Sequence, residues 1–389
     1  MTFKILSLDG GGIRGVVSAT ILKEVEKVVR EQKNKPLHEY FDLIAGTSTG
    51  SILAVAIACR KSASELMKLY CDRGDEIFLK SVRQQRKWRK LTPLFGSYAL
   101  YPNQPGEKGL AEVLAEELVH PDLGKEKTTI ANMRPGKEEL SPYLLILAYD
   151  VLSRNTTWFS NDDPTAWYCK NNIPLWEICS ASAAAPTFFP PYNLRYKNDR
   201  FLPHIDGGVA ANNPELSAIA HALWMENEGT PKSMDEIAVL SIGTGETSEP
   251  YEYEEIKKWE TLKWAANIPN IFLNPPAENS AAISHSLFLA LGSQHHLRLD
   301  FDLNKRLTGE QQTDFLRHKL GKKDLYNEYI FKKTGEKKYV DENIDNPDAC
   351  EGLIEATTAY LDCGTIPYPD RKDLTRVQEA IAKFIDCHD

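Results

Sequence analysis

The first thirty residues constrain the fold more tightly than any other stretch. FKILSL (Phe3–Leu8) is a short apolar run that reads as a strand. It leads into LDGGGIRG (Leu8–Gly15), a turn in which half the residues are glycine. From Val16 to Arg30, the residues Ile21, Leu22, Val25, Val28 and Val29 then recur at the spacing of one helix face. The strand–turn–helix pattern returns with FDLIA (Phe41–Ala45), GTSTG and an apolar helix from about Ser51 to Arg60. YLLILAYDV (Tyr143–Val151) and IAVLSIG (Ile237–Gly243) are continuous apolar runs, as expected of buried parallel strands covered on both faces. Strands alternating with helices predict an α/β protein: a three-layer α/β/α arrangement around a mostly parallel central sheet.

Two regions break the rhythm. Lys80–Leu100 is basic and then punctuated by proline and glycine. The chain beyond Leu299 turns polar, with KLGKKDLYNEY and FKKTGEKKYVDENIDNPD, and closes on a helical pattern from Leu374 to Ile385. The expected organisation is a main domain over 1–300, with a C-terminal extension over 301–389 packed against it. The net charge of −9 argues against a nucleic-acid polymer as partner. Seven scattered cysteines without a C-x-x-C pair read as reduced thiols. No basic stretch, apolar core and small-residue cleavage site precede the first strand, so no secretory signal is expected, and SILAVAIAC (Ser51–Cys59) falls far short of the roughly 20 residues that span a bilayer. These features predict a soluble, cytoplasmic protein. They say nothing of its oligomeric state.

The glycine turn suits two chemistries. Gly10-x-Gly12-x-x-Gly15 matches a dinucleotide fingerprint, but that site needs an acid closing the second strand, about 20 residues on, to hold a ribose. Here the second strand closes on GTSTG. Asp42 opens it, at the wrong end, and Glu31 and Glu39 lie in the helix end and the connection. The other chemistry is an oxyanion hole, which needs two unobstructed backbone N–H donors aimed at one point, as Gly11 and Gly12 can supply. Arg14 is expected to bring positive charge to the rim, either for an anionic substrate or to pair a neighbouring carboxylate. Gly46-Thr47-Ser48-Thr49-Gly50 is G-x-S-x-G between a strand and a helix, the context of a nucleophile elbow. Gly46 and Gly50 leave room for the sharp turn, and the helix N-terminus places amides and positive dipole near the Ser48 hydroxyl.

A serine nucleophile needs a base, and the residues leave several. IDGGVAANNP places Asp206 before Gly207 and Gly208, a setting that on its own more often marks a plain turn residue. His204 lies two residues earlier, on the same face of a regular strand, although Pro203 disfavours regular geometry there. His221, His285 and the pair His295–His296 read as helix or loop residues.

Together these segments resemble the patatin-like phospholipase family. The resemblance rests on D-G-G-G-x-R-G at Asp9–Gly15, G-T-S-T-G at Gly46–Gly50, and ASAAAPTFFPP at Ala181–Pro191. It continues with D-G-G at Asp206–Gly208 followed by NNP, and LSIGTG at Leu240–Gly245. The motifs stand in the family's order over about 1–245, and the last 90 residues carry none. The resemblance implies a lipid acyl hydrolase with a Ser48–Asp206 dyad and no intervening histidine. It further implies oxyanion amides from Gly11 and Gly12, with Gly10 and Arg14 in the same loop. Neither a metal nor another cofactor is expected.

Such an enzyme meets membrane phospholipids or galactolipids at an interface. LKSVRQQRKWRKL (Leu79–Leu91), with Lys80, Arg83, Arg86, Lys87, Arg89 and Lys90 around Trp88, is a candidate for transient contact with anionic headgroups, and equally a solvated helix face. WETLKWAANIPNIFLNPP (Trp259–Pro276) suits an acyl channel, a lid or core packing. An alternative makes the same hydrolase a membrane-degrading effector in bacterial antiphage defence, gated by a cyclic nucleotide as small-molecule activator.

Overall fold

The structure is a computed structural model that describes residues 2–89, 99–133, 142–197, 200–226, 229–246, 253–304, 340–369 and 374–388, without the side chains of 85–89, 261–262 and 265–274. Its centre is an eight-stranded sheet built from β1 (Phe3–Leu8), β2 (Leu43–Thr47), β3 (Tyr143–Asp150), β4 (Asn155–Ser160), β5 (Tyr192–Lys197), β6 (Arg200–Asp206), β7 (Ile237–Ile242) and β8 (His296–Leu299). The order is β5-β6-β3-β2-β1-β7-β8, with β4 paired to β3. The five strands β3-β2-β1-β7-β8 are parallel, whereas β4 and β6 run antiparallel to β3, and β5 to β6.

Alternate side chains of the parallel strands go to opposite layers, and both layers are dry. Leu6, Leu8, Ile44, Ile146, Leu240 and Ile242 pack with the first helix (Gly15–Lys33), the helix Thr49–Ala58 and the helix Leu175–Ser182. Ile5, Leu43, Ala45, Leu145, Leu147 and Val239 pack with Ala218, Ile219 and Ala222 of the helix Glu215–Trp224, and with Phe288 of the long helix Thr261–Ala290. Burial on both faces explains why these strands read as unbroken apolar runs. Each fully buried aliphatic side chain contributes about 1.5–3 kcal/mol by leaving water.

The helices Cys350–Cys363 and Val377–Asp386 belong to the first of these layers: Leu353, Tyr360, Ile381 and Phe384 join the cluster that holds Val17 and Ile21. Polar contacts tie the same region down, with Tyr40 Oη donating to His388 O at 3.1 Å and Lys33 Nζ to Asp386 O at 3.3 Å.

The structure differs from the sequence reading in several elements. His296 opens β8 rather than lying in a helix or loop. Leu374–Arg376 is a short strand paired with Thr365–Pro367, so the last helix begins only at Val377. Pro203 sits within β6 despite its missing N–H, because its carbonyl still accepts from Val151 N at 3.0 Å. Lys80–Arg89 is helical, and Arg83 is spent on internal contacts with Phe78 O and the Asp75 carboxylate; Lys90 and Leu91 lie outside the described residues. Most of Trp259–Pro276 falls in the long helix, where Trp259 is buried and Trp264 exposed; the side chains of 261–262 and 265–274 lie outside the described set. Among the described residues no helix is long and apolar enough to cross a membrane.

Candidate active site

The site forms where two strands meet head on. β2 lies along one edge of β3 as far as Thr47, opposite Leu147. β4 occupies the other edge, so β6, arriving from the opposite direction, must share the β2 edge; its last residue, Asp206, sits opposite Ala148. The β2 chain turns away at Ser48, and the next place along β3 is taken by Asp206. This register brings together two residues 158 positions apart: Ser48 Oγ donates to Asp206 Oδ2 at 2.6 Å.

Ser48 is held in an uncommon backbone conformation, φ 54° and ψ −122°, as it caps the helix Thr49–Ala58. A non-glycine residue there carries of order 1–3 kcal/mol of strain, which its surroundings must offset. The restraints are visible. Ser48 N–H donates to Ser182 Oγ at 2.9 Å, and Ser48 O accepts from Ser51 N at 2.9 Å and Ser51 Oγ at 2.6 Å. A Cβ on Gly46 would overlap Gly50 O, and one on Gly50 would overlap Leu8 O, so neither position admits a side chain.

Asp206 is anchored as firmly. Its Oδ1 accepts from Gly208 N at 2.7 Å, its own N–H donates to Ala184 O at 3.0 Å, and Gly207 N donates to Ser182 O at 3.1 Å. Burial raises the Asp206 carboxyl from 3.8 to about 6, against the lowering effect of the Ser48 and Gly208 hydrogen bonds. The group is therefore ionised at neutral pH and more basic than an ordinary carboxylate.

The glycine loop closes over this pair. Gly10 N–H is committed to Asn212 O at 3.0 Å, and Gly10 O accepts from Thr244 Oγ1 at 3.0 Å and Asn212 Nδ2 at 3.3 Å. A Cβ on Gly10 would overlap Asn212 Oδ1 and come within 3.1 Å of Ser48 Cβ. Gly12, at φ 59°, lies against Ile344 O, which also accepts from Ile13 N at 2.8 Å. The amides of Gly11 and Gly12 donate to no acceptor among the described residues. Gly10 thus shapes the loop without a free N–H, and the two donors left open are those of Gly11 and Gly12.

Arg14 corrects the expectation of a rim charge. It is 6% exposed, and burial lowers its pKa against the pull of Glu342 and Asp300. Its Nε and Nη1 make no hydrogen bond to any described residue. His204 is fully buried, bonded to Thr157 Oγ1 and Leu202 O at 3.0 Å each, rather than to Ser48 or Asp206.

Two supports escaped the sequence reading. Ser182 accepts from Ser48 N, donates to Leu147 O at 2.6 Å and receives Gly207 N on its carbonyl, tying elbow to base loop. Its only signal was the run of small residues in ASAAAP. Arg298, on β8, binds Asp9 in a two-pronged pair (2.9 and 2.6 Å), and also Ser241 Oγ at 2.8 Å and Asp300 Oδ2 at 2.9 Å. Asp300 Oδ1 in turn accepts from Gly245 N at 3.0 Å, beside the Thr244 that holds Gly10. The glycine loop therefore hangs on a buried charge cluster two strands away, for which HLRLD offered no recognisable pattern.

Fold and site together define a class: an α/β hydrolytic site with an elbow serine, a carboxylate partner and a glycine loop. The sequence profile described as "Patatin-like phospholipase" matches residues 6–219. "Patatin-like protein 2" of Oryza sativa subsp. indica is 30% identical over 337 residues, covering 78% of this chain and 77% of its own length. "Patatin-like protein 4" of Arabidopsis thaliana is 30% identical over 341 residues, with 78% and 77% covered. Among solved structures, human GIVD cytosolic phospholipase A2 aligns with the whole chain and 59% of its own length at 12% identity and a TM-score of 0.39, too distant to place any residue. The chain belongs to the patatin-like phospholipase family, and with it to the serine hydrolases that act on carboxylic ester bonds.

Proposed function

We propose that this protein cleaves fatty-acyl ester bonds of membrane phospholipids or galactolipids through a Ser48–Asp206 dyad. The observation that carries the reading is the 2.6 Å hydrogen bond from Ser48 Oγ to a buried carboxylate, beside a glycine loop whose Gly11 and Gly12 amides donate to no acceptor among the described residues. Ser48 Oγ attacks the ester carbonyl as its proton passes to Asp206 Oδ2. The carbonyl oxygen, now negative, is held by the Gly11 and Gly12 N–H groups, each such donor being worth about 3 kcal/mol in the transition state. Asp206 returns the proton to the leaving alkoxide, which departs as the lyso-lipid and leaves an acyl-Ser48 ester. Water then attacks that ester, with Asp206 taking its proton; the Ser48 Oγ–acyl bond breaks as Asp206 returns that proton to Ser48 Oγ, and fatty acid is released. A carboxylate raised to about 6 is still a weak base for a serine hydroxyl, so proton transfer must accompany carbon–oxygen bond formation.

The test is mass spectrometry of products from a mixed lipid extract, wild type against Ser48→Ala, alongside labelling by a fluorophosphonate serine probe. Free fatty acid and lyso-lipid should form with wild type alone, and only Ser48 should take the probe. An active Ser48→Ala variant would remove the nucleophile from the scheme.

A further inference from the structure

Two hairpins rise from the catalytic end of the sheet. β3 continues from Leu147, the partner of Thr47, to Asp150. At about 3.3 Å per residue, the β3–β4 turn therefore stands about 10 Å beyond the level of the nucleophile. β6 descends from the same end: Val151 N–H donates to Pro203 O, so Phe201 and Arg200, with their β5 partners Arg195 and Lys197, lie farther out still.

Their apolar side chains are unusually exposed. Leu152 is 69% exposed, Phe201 52% and Val151 41%, and Val209, just past the base loop, is 47% exposed. Register explains the grouping. Leu147, Tyr149 and Val151 share a face with Ile205, Pro203 and Phe201. The helix Glu215–Trp224 covers that face at Leu145 and Leu147, but it leaves the hairpin end in solvent.

Among the described residues, the exposed charges beside these side chains are of one sign. Arg154, Arg195, Lys197 and Arg200 are all exposed. Over 151–160 and 192–206 the sequence supplies just two acids, the buried Asp206 and Asp199. In a chain of net charge −9 this is a local reversal. Apolar tips ringed by cations complement hydrocarbon beneath a plane of anionic headgroups; a protein partner would have to supply an acidic rim of matching shape.

We infer that the β3–β4 turn and the adjoining outer ends of β5 and β6 are the surface by which this protein docks on an anionic bilayer. Leu152 and Phe201 enter the acyl layer, while Arg154, Lys197 and Arg200 meet lipid phosphates. Docked so, the dyad faces the ester level of the leaflet. This assignment rests on the lipid acyl hydrolase reading above, and it gives the contact to these hairpins rather than to Lys80–Leu91.

The experiment pairs sedimentation with phosphatidylcholine vesicles, with and without phosphatidylglycerol, with hydrolysis of the same vesicles and of soluble p-nitrophenyl butyrate. Leu152→Asp/Phe201→Asp should lose at least about tenfold in vesicle binding and vesicle hydrolysis, with soluble-ester turnover unchanged. Arg154→Glu/Arg200→Glu should lose the preference for phosphatidylglycerol and its sensitivity to salt. Soluble-ester turnover reports that each variant is folded. Variants that bind and cleave vesicles like wild type would overturn the docking surface while leaving the lipid reading intact. Wild type that cleaves the soluble ester but releases no fatty acid from any vesicle would instead bring down the lipid reading, and the docking surface with it.

Discussion

Replacing Asp206 by asparagine should move activity and stability in opposite directions. The amide keeps the shape: its Oδ1 can accept from Gly208 N, and its Nδ2 can donate to Ser48 Oγ. What it removes is a buried negative charge. The native carboxyl titrates at about 6 instead of 3.8 because burial penalises its ionised form. At about 1.4 kcal/mol per unit of pKa, that difference is a destabilisation of roughly 3 kcal/mol. The sign follows from which state holds the proton. Below pH 4 the group is protonated, folded or unfolded, and there is no penalty. Between about 4 and 6 the unfolded chain releases the proton while the folded one retains it, so the penalty grows with pH; above 6 it is constant. Asp206→Asn should therefore be more stable than wild type by up to about 3 kcal/mol at pH 7.5, and indistinguishable from it near pH 3.5. Lacking a base, it should lose about 10²–10⁴-fold in kcat on a soluble ester. Denaturant unfolding at the two pH values, with esterase kinetics, measures both. A variant no more stable at pH 7.5, or one active within tenfold of wild type, would refute the reasoning.

Three further outcomes follow from the same geometry. For wild type, kcat/KM on a soluble ester should rise tenfold per pH unit up to about pH 6 and level off above it, as Asp206 loses its proton; a flat profile from pH 4 to 8 would mean that another group is the base. Gly10→Ala puts a Cβ within 3.1 Å of Ser48 Cβ and onto Asn212, and should cost on the order of 10²-fold in kcat, read by single-turnover acylation. Arg298→Met strands the Asp9 and Asp300 carboxylates and should destabilise the fold by about 3 kcal/mol in urea unfolding, less so when combined with Asp9→Asn.

How far the sequence reached depended on the range of each interaction. β1 matched FKILSL residue for residue, and the first helix covered the predicted face, because strand and helix periods are written in neighbouring residues. Ser48 was legible because an elbow demands glycines within two positions of the nucleophile. Asp206 was one candidate among several until the family resemblance selected it, since nothing local marks a turn aspartate as a base.

The sequence by itself thus determined the class: parallel strands buried on both faces, an elbow serine, and a glycine loop without a ribose-binding acid. Tertiary structure alone decided how these parts became a site. It set β2 and β6 head on along one edge of β3, which is what carries Asp206 to Ser48. It also engaged the Gly10 amide while leaving those of Gly11 and Gly12 open, sank Arg14 into the interior, and hung the loop on Arg298. The physical reason is the same each time. Hydrogen bonds and burial join groups that are far apart along the chain, and strand register, which fixes their meeting, belongs to the whole sheet rather than to any one segment.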